Sequence, residues 1–134
     1  MTYVGEADTV TKHRLLGAAD VLLNPTAWPE PFGMVMVEAL ACGTPVVGFP
    51  NGAAPEIVDH GRTGYLPRDV VGLAQALRTV DRIDRSLCRA MVASRFSVGK
   101  MVRRHLALYA DVLARSTLDG SGHRRLTVAS PAAG

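Results

Sequence analysis

The chain has 134 residues, 48% of them apolar, which is enough for one ordinary domain with its own core. No apolar run approaches the roughly 20 residues of a membrane span. The N-terminus has no basic patch followed by an apolar segment, so no signal peptide is predicted. The two cysteines, Cys42 and Cys88, have no metal-ligand spacing, and reduced thiols in a cytoplasmic protein are the simplest interpretation.

The net charge of +3 is unevenly distributed. Residues 1–77 carry four basic and eight acidic side chains, a net charge of −4, whereas residues 78–134 carry eleven basic and four acidic ones, a net charge of +7. Such a basic region could bind nucleic acid or an anionic membrane surface. Because no aromatic side chains are interleaved for base stacking, a solvated helix face is favoured and no nucleic-acid partner is predicted. Peripheral contact with a membrane stays open.

Short apolar segments alternate with helical patterns, which is typical of an α/β fold with a parallel sheet and flanking helices. "TYVGEA" predicts a short strand, and "TVTKHRLLGAA" predicts a helix that begins at Asp8 or Thr9. "DVLLNP" predicts a buried strand, "GMVMVEALA" a helix closed by Gly43, and "PVVGF" the next strand. The loop "PNGAAPEIVDHG" is expected to hold one helical turn, and "TGYL" predicts a last short strand.

Helices at 69–80, 84–95 and 97–114 are predicted to follow. One face of the last helix is mostly apolar, which is typical of a core or docking surface. This face consists of Val98, Met101, Val102, His105, Leu108, Tyr109 and Val112. From residue 115 onward the sequence is small, polar and aperiodic, so we expect a domain over 1–114 and a disordered tail over 115–134.

The stretch "WPEPFGMVMVEALACGTPVVGF" places two glutamates, Glu30 and Glu38, eight positions apart in an almost wholly apolar run. The prolines on either side of Glu30 stiffen the approach to the predicted helix. Gly33 lets the backbone turn closely into that helix. The sequence thus predicts a helix start with a carboxylate on each side of it.

The first backbone amides of this helix form a predicted anion-binding site. They are the amides around Phe32, Gly33, Met34 and Val35. Such amides have no acceptor within the helix, and together with the helix dipole they suit a phosphate or diphosphate. Glu38, about one and a half turns further on, could accept hydrogen bonds from a vicinal diol such as a ribose. Glu30 could accept hydroxyls of a sugar attached to the phosphate.

Other interpretations of the two acids are open at this point. Glu30 could be an exposed loop acid, and Glu38 a surface position of an amphipathic helix. The apolar neighbours of Glu38 argue against the second of these, because an acid in such a helix needs a partner or a ligand. Two carboxylates also fit a glycoside hydrolase, but their place beside a helix-end anion site argues against that reaction.

"EPFGMVMVEALACGTPVV" resembles the Glu-x7-Glu motif of the retaining GT-B glycosyltransferases of family 4, the group 1 glycosyltransferases. The flanking segments "YVGEADTVTKHRLLGAADVLLNPT" and "GAAPEIVDHGRTGYL" resemble the same family. The resemblance runs from about Tyr3 to Leu113 and is most specific over residues 20–66. It implies a partial Rossmann-like GT-B C-terminal domain that ends in C-terminal helices.

By this resemblance, Glu30 would be the catalytic-site residue that binds hydroxyls of the donor sugar, and Glu38 would bind the ribose. The amides from Phe32 to Val35 would hold the sugar and diphosphate. Gly52 and Glu56 would border the nucleotide, although Glu56 could instead only cap a turn. The family transfers a sugar from a UDP- or GDP-linked donor with retention, without a metal or another cofactor.

A complete enzyme of this family has two Rossmann-like domains, so the resemblance implies a missing N-terminal domain or partner chain. The basic Gly-Arg…Lys-Gly segment of the family would lie before Tyr3, and Arg62 and Arg68 do not match it. We therefore expect this chain alone to be incomplete and inactive, with "DVLLN" as an edge strand. A non-catalytic nucleotide-binding or interaction module, docked through helix 97–114, and a nucleotide-sugar epimerase are the alternatives.

Overall fold

The computed structural model of the protein describes residues 2–118, and this part divides into two units between Ser97 and Val98. The first unit holds three short strands and five α-helices, and the second is one long helix. In chain order the elements are α1 (Thr9–Ala18), β1 (Leu22–Asn24), α2 (Met34–Ala41), β2 (Val46–Gly48), α3 (Ala54–Ile57), β3 (Gly64–Tyr65), α4 (Val70–Leu77), a 3₁₀-helix (Val80–Arg82), α5 (Arg85–Arg95) and α6 (Val98–Leu118).

The three strands form one parallel sheet in the order β1-β2-β3. Leu22 pairs with Val46 and Asn24 with Gly48, while Val46 also pairs with Gly64 on its other side. Parallel neighbours need crossover connections, and α2 and α3 with their loops provide them. The predicted α/β fold with a parallel sheet and flanking helices is confirmed.

Helices cover both faces of this sheet, because successive side chains of a strand point to opposite faces. Val46 points into the larger core, which also contains Leu16, Met36, Ala39, Leu40, Ile57, Cys88 and Met91 from α1, α2, α3 and α5. Val47 points the other way, into a smaller cluster with Leu73, Ala76 and Val80. Burial in the larger core raises the pKa of the Cys88 thiol.

Aspartate side chains begin three of the helices by accepting hydrogen bonds from amides of the first turn. The pairs are Asp8 with Thr11 in α1, Asp69 with Gly72 in α4, and Asp84 with Ser86 in α5, at 2.7, 2.7 and 2.8 Å. The hydrogen bond from the Thr11 amide lowers the pKa of Asp8, and hydrogen bonding to Ser86 lowers the pKa of Asp84. The predicted start of α1 at Asp8 is confirmed.

The strand predicted over "TYVGEA" is wrong, since residues 2–8 have no strand pairing. Tyr3 is 91% exposed and Val4 is 53% exposed, so the apolar side chains of this segment are largely open to solvent. In the described part of the chain, β1 pairs only with β2 and therefore forms an edge of the sheet, as predicted.

The C-terminal elements follow the predicted order with shifted ends. α4 ends at Leu77, three residues before its predicted end, and a turn at residues 78–79 leads into the 3₁₀-helix. α6 continues to Leu118, four residues beyond its predicted end, and residues 119–134 of the predicted tail lie outside the described residues. The large apolar side chains of α6 between Val98 and Leu113 are exposed. No helix within residues 2–118 is both long and apolar enough to cross a membrane.

Candidate functional site

The loops that follow the three strands meet at one edge of the sheet, because parallel strands have their carboxyl ends on the same side. In open α/β sheets, ligands bind outside this edge. Glu30 and Gly33 lie in the loop after β1, and Gly52 lies in the loop after β2. α1 leads into β1, so its first turn lies near the same edge. The predicted site residues are therefore drawn from neighbouring loops and helix starts.

Gly33 begins α2 in the left-handed backbone conformation, at φ 71° and ψ 51°. Its carbonyl accepts a hydrogen bond from the amide of Met36 at 3.0 Å. A side chain at Gly33 would meet the thioether end of Met36. The amides of Met34 and Val35, in the first turn of α2, have no acceptor within the helix. The structure thus provides the helix start that the sequence predicts, with exposed Phe32 and Met34 side chains beside it.

Glu30 is held in place through its backbone. Its carbonyl accepts a hydrogen bond from the amide of Ala53 at 2.9 Å. Gly52 lies directly against it, since a Cβ at Gly52 would come within 3.0 Å of both the amide nitrogen and the carbonyl oxygen of Glu30. The Glu30 side chain is half-buried, and its carboxylate has no hydrogen-bond or ion-pair partner within residues 2–118.

Asn51 makes a second connection between the two loops. Its side-chain amide donates to the carbonyls of Thr26 and Ala27 at 3.2 and 3.3 Å. Together with the Glu30–Ala53 hydrogen bond, this amide fixes the loop after β1 against the loop after β2. Gly52 therefore acts on the site by allowing this close approach of two backbones.

Glu38 lies in the second turn of α2, and its carboxylate forms an ion pair with Lys12 of α1. The distance from Lys12 Nζ to Glu38 Oε1 is 2.6 Å. The Glu38 side chain is 23% exposed and that of Lys12 is 36% exposed, so the pair is open to solvent on one side. The structure thus gives this acid the partner that its apolar helix requires.

Glu56 lies in the short helix α3 and is exposed. Its carbonyl accepts a hydrogen bond from the guanidinium of Arg95, which also pairs with Asp59 at 2.8 Å. The residue of α3 that reaches the start of α2 is Ile57, whose Cδ1 would lie 3.5 Å from a Cβ at Gly33. The structure joins Glu56 to α5 through its backbone and places its apolar neighbour against α2.

An open cleft of about 600 Å³ lies at the same edge of the sheet. It is lined by Ala27, Phe49, Pro50, Asn51 and Arg68. These residues follow β1, β2 and β3, so each strand contributes to the cleft. Within residues 2–118, no three His, Cys, Asp or Glu side chains come close enough together to hold a metal ion.

Sequence reasoning missed Lys12 and Asn51. A lysine in the first turn of a helix interacts unfavourably with the positive end of the helix dipole. This unusual position could have indicated that Lys12 has a partner outside its own helix. An asparagine that directly follows a strand, before a glycine, was the signal for Asn51. Their partners lie 26 and 25 positions away, and such distances can be inferred only from the assembled sheet.

The fold defines a Rossmann-like α/β domain in which α2 begins at the carboxyl edge of the parallel sheet. Residues 1–81 match the model of the family described as glycosyl transferases group 1. The chain belongs to this family, as the Glu-x7-Glu resemblance predicted.

Two curated relatives and one solved structure illustrate this membership. The chain is 35% identical over 119 residues to N-acetyl-alpha-D-glucosaminyl L-malate synthase of Bacillus anthracis, with 83% of this chain and 30% of the relative covered. It is 45% identical over 80 residues to glycogen synthase of Mycobacterium tuberculosis, with 58% of this chain and 19% of the relative covered. The structure of Anabaena Alr3699/HepE in complex with UDP matches with a TM-score of 0.63 and 28% identity, covering 73% of this chain and 29% of that one. The chain thus spans 30% or less of the length of these relatives.

Proposed function

We infer that this chain is the donor-binding part of a retaining glycosyltransferase, which transfers a sugar from a UDP- or GDP-linked donor to an acceptor. The observation that carries this proposal is the contact between the loops after β1 and β2. The Glu30 backbone is fixed against Gly52 and Ala53, directly before the helix start at Gly33. A carboxylate that has no partner among residues 2–118 is thereby held close to amides that suit a diphosphate.

The proposed roles follow from this arrangement. The amides from Phe32 to Val35 bind the diphosphate and the sugar, and Glu38 accepts hydrogen bonds from the ribose. Glu30 accepts hydroxyls of the donor sugar as the residue of the catalytic site, while Gly52 and Glu56 border the nucleotide. The structures of Alr3699/HepE hold UDP and UDP-glucose, which supports a nucleotide-sugar donor for this chain.

The reaction requires the diphosphate to leave with additional negative charge. As the bond from the anomeric carbon to the diphosphate oxygen breaks, a bond forms from the acceptor oxygen on the same face of the sugar. The acceptor proton passes to the departing phosphate oxygen. The start of α2 stabilises the leaving charge through its amides and its dipole. In this proposal no protein nucleophile, metal or other cofactor is needed, and the reaction takes place in the cytoplasm.

In this proposal, an N-terminal domain or a partner chain binds the acceptor. It also supplies the basic residues that complete the diphosphate site. The unpaired edge of β1 supports this, since the hydrogen-bonding groups on that side have no strand neighbour within residues 2–118. The hexose specificity and any membrane contact belong to the complete protein. A nucleotide-binding module without transfer is the second candidate, because the chain spans such a small share of its relatives.

The test is an amide nitrogen–proton correlation spectrum of the chain, recorded with and without UDP and GDP. We expect one nucleotide to shift the signals of Gly33, Met34 and Val35. Glu38→Ala should weaken that binding by at least about tenfold, or about 1.4 kcal/mol, because a carboxylate partner of two hydroxyls is lost. The matched control is Asp81→Ala, an exposed acid of the 3₁₀-helix.

Unchanged binding by Glu38→Ala would contradict the assigned ribose role, and a chain that binds neither nucleotide would contradict the donor-binding function itself. Transfer measured after addition of an N-terminal half from a relative separates the two candidates. Transfer would support the enzyme, and nucleotide binding without transfer would support the module.

A further inference from the structure

The ion pair between Lys12 and Glu38 joins two helices at the edge of the proposed donor site. Lys12 lies in the first turn of α1, and Glu38 in the second turn of α2. The donor–acceptor distance of 2.6 Å is that of a charge-assisted hydrogen bond. The bond holds only Oε1, so Oε2 of the carboxylate remains without a protein partner within residues 2–118.

Local helix stability does not explain the place of Lys12. The positive end of a helix dipole is at its first turn, where a cation is unfavourable. Asp8 already caps this helix through the Thr11 amide, so Lys12 is not needed for capping. As an ordinary partly exposed ion pair, the contact would contribute little to stability. What Lys12 does gain from this position is contact with one particular carboxylate.

We propose that Lys12 is a positioning and specificity residue for the ribose of the nucleotide, an inference that rests on the proposed function. The Lys12 ammonium fixes the rotamer of Glu38 before the ligand arrives, so less conformational entropy is lost on binding. It leaves Oε2 and a remaining lone pair of Oε1 to accept hydroxyl protons. Lys12 has two further N–H donors, and one of them can reach a ribose hydroxyl oxygen bound beside Oε1.

This arrangement selects ribonucleoside diphosphates over their 2′-deoxy counterparts. With both hydroxyls present, the carboxylate and the ammonium each gain a hydrogen bond to the ligand. Without the 2′-hydroxyl, the part of the ion pair that the bound nucleotide covers has no partner, and sites built to bind a hydroxyl reject ligands that lack it. The preference for ribose should therefore depend on Lys12 as well as on Glu38.

The test compares the affinity of the chain for UDP or GDP, whichever binds more tightly, with its affinity for the 2′-deoxy form. We expect the parent to prefer the ribonucleotide by about tenfold. Lys12→Met should lower the ribonucleotide affinity by about tenfold and the deoxynucleotide affinity by less than about twofold. Lys12→Arg, which keeps a cation and donors, should restore most of the preference.

The matched control is Arg14→Met, which removes an exposed cation from the same helix. It should leave both affinities unchanged. In a Glu38→Gln background, Lys12→Met should have little further effect, because the two residues act as one unit. Correlation spectra of all variants should keep the dispersion of the parent spectrum.

The outcomes separate this inference from the proposed function. If the parent binds neither nucleotide, the proposed function fails and this inference fails with it. If the parent binds and Glu38→Ala weakens binding, but Lys12→Met changes both affinities equally or changes neither, only the role of Lys12 is overturned.

Discussion

At the scale of single residues, the site depends on how closely two backbones approach each other. Gly52 has φ 54° and lies against the backbone of Glu30. The carbonyl carbon of Pro29 is also close to it. A side chain cannot be added there without moving one of the two loops. Gly52 therefore controls the position of Glu30 although it offers no functional group.

Gly52→Ala should displace the loop that carries Glu30. We expect a loss of about 2–4 kcal/mol of unfolding free energy, from the left-handed conformation and from the backbone clash together. Binding of a nucleotide sugar should weaken more than binding of the nucleotide alone, because Glu30 is proposed to contact the sugar. Urea denaturation and titration with UDP and UDP-glucose measure both effects.

Gly61→Ala is the control for this variant. Gly61 also has a positive φ, at 78°, but a Cβ there would meet no atom within 4 Å. Its loss should be limited to the conformational cost of about 1–2 kcal/mol, with the ratio of UDP-glucose to UDP affinity unchanged. Equal effects of Gly52→Ala and Gly61→Ala on that ratio would contradict the role of the close approach.

At this scale, the sequence predicts the positions of some residues around α2 but not their contacts with other elements. Glu30, Gly33 and Glu38 could be placed from the sequence because a helix start and its spacing are local properties. Lys12 belongs to another helix, and its contact with Glu38 exists only because α1 and α2 pack side by side at one edge of the sheet. The electrostatic environment of Glu38 was therefore not readable from its own segment.

At the scale of elements, one side chain of α5, that of Arg85, joins this helix to the end of α1. Its guanidinium donates to the carbonyls of Gly17 and Ala19 at 3.0 and 2.8 Å, at the end of α1. It also donates to the hydroxyl of Thr44 at 2.9 Å, and Thr44 is fully buried. Arg85 thus satisfies carbonyls that a helix end leaves without partners.

Arg85→Met should lower the free energy of unfolding by about 2–4 kcal/mol, because it leaves these acceptors unpaired in a partly buried place. Arg89→Met is the matched control, one turn further along α5. Arg89 is exposed and has no hydrogen bond within residues 2–118, so its loss should change the stability by no more than about 0.5 kcal/mol. Chemical denaturation measures both, and similar losses would contradict the anchoring role of Arg85.

Most elements were predictable because their signals are local. α1 and α5 begin at aspartate caps and α2 begins after a glycine, and these local signals fix the approximate starts of the helices. "TYVGEA" has the composition of a strand, but a strand also needs a neighbour, and the sheet of the described residues does not provide one. α6 extends past its predicted end because propagation of a helix costs little once its first turns have formed.

At the scale of the whole molecule, the sheet has an open side. β1 pairs only with β2 within the described residues, and Leu23 in its centre is 46% exposed. The matched segment covers 30% of one relative and 19% of the other, so each relative is more than three times as long as that segment. An edge strand with exposed apolar side chains pairs readily with other chains. The sequence indicated this edge through the strand order of doubly wound sheets, and the structure confirms it.

We expect the isolated chain to self-associate through β1 at high concentration, and Leu23→Lys to suppress this association. A charged side chain on an exposed edge strand opposes pairing with a second copy, and replacing an exposed leucine should change the unfolding free energy by no more than about 0.5 kcal/mol. Leu77→Lys is the control, since Leu77 is 38% exposed but lies at the end of α4.

Sedimentation velocity over a range of concentrations measures the effect. A parent that stays monomeric, or association that Leu77→Lys suppresses equally, would contradict this role of β1. Suppression by Leu23→Lys alone would identify the β1 edge as the surface through which this sheet pairs with a further strand.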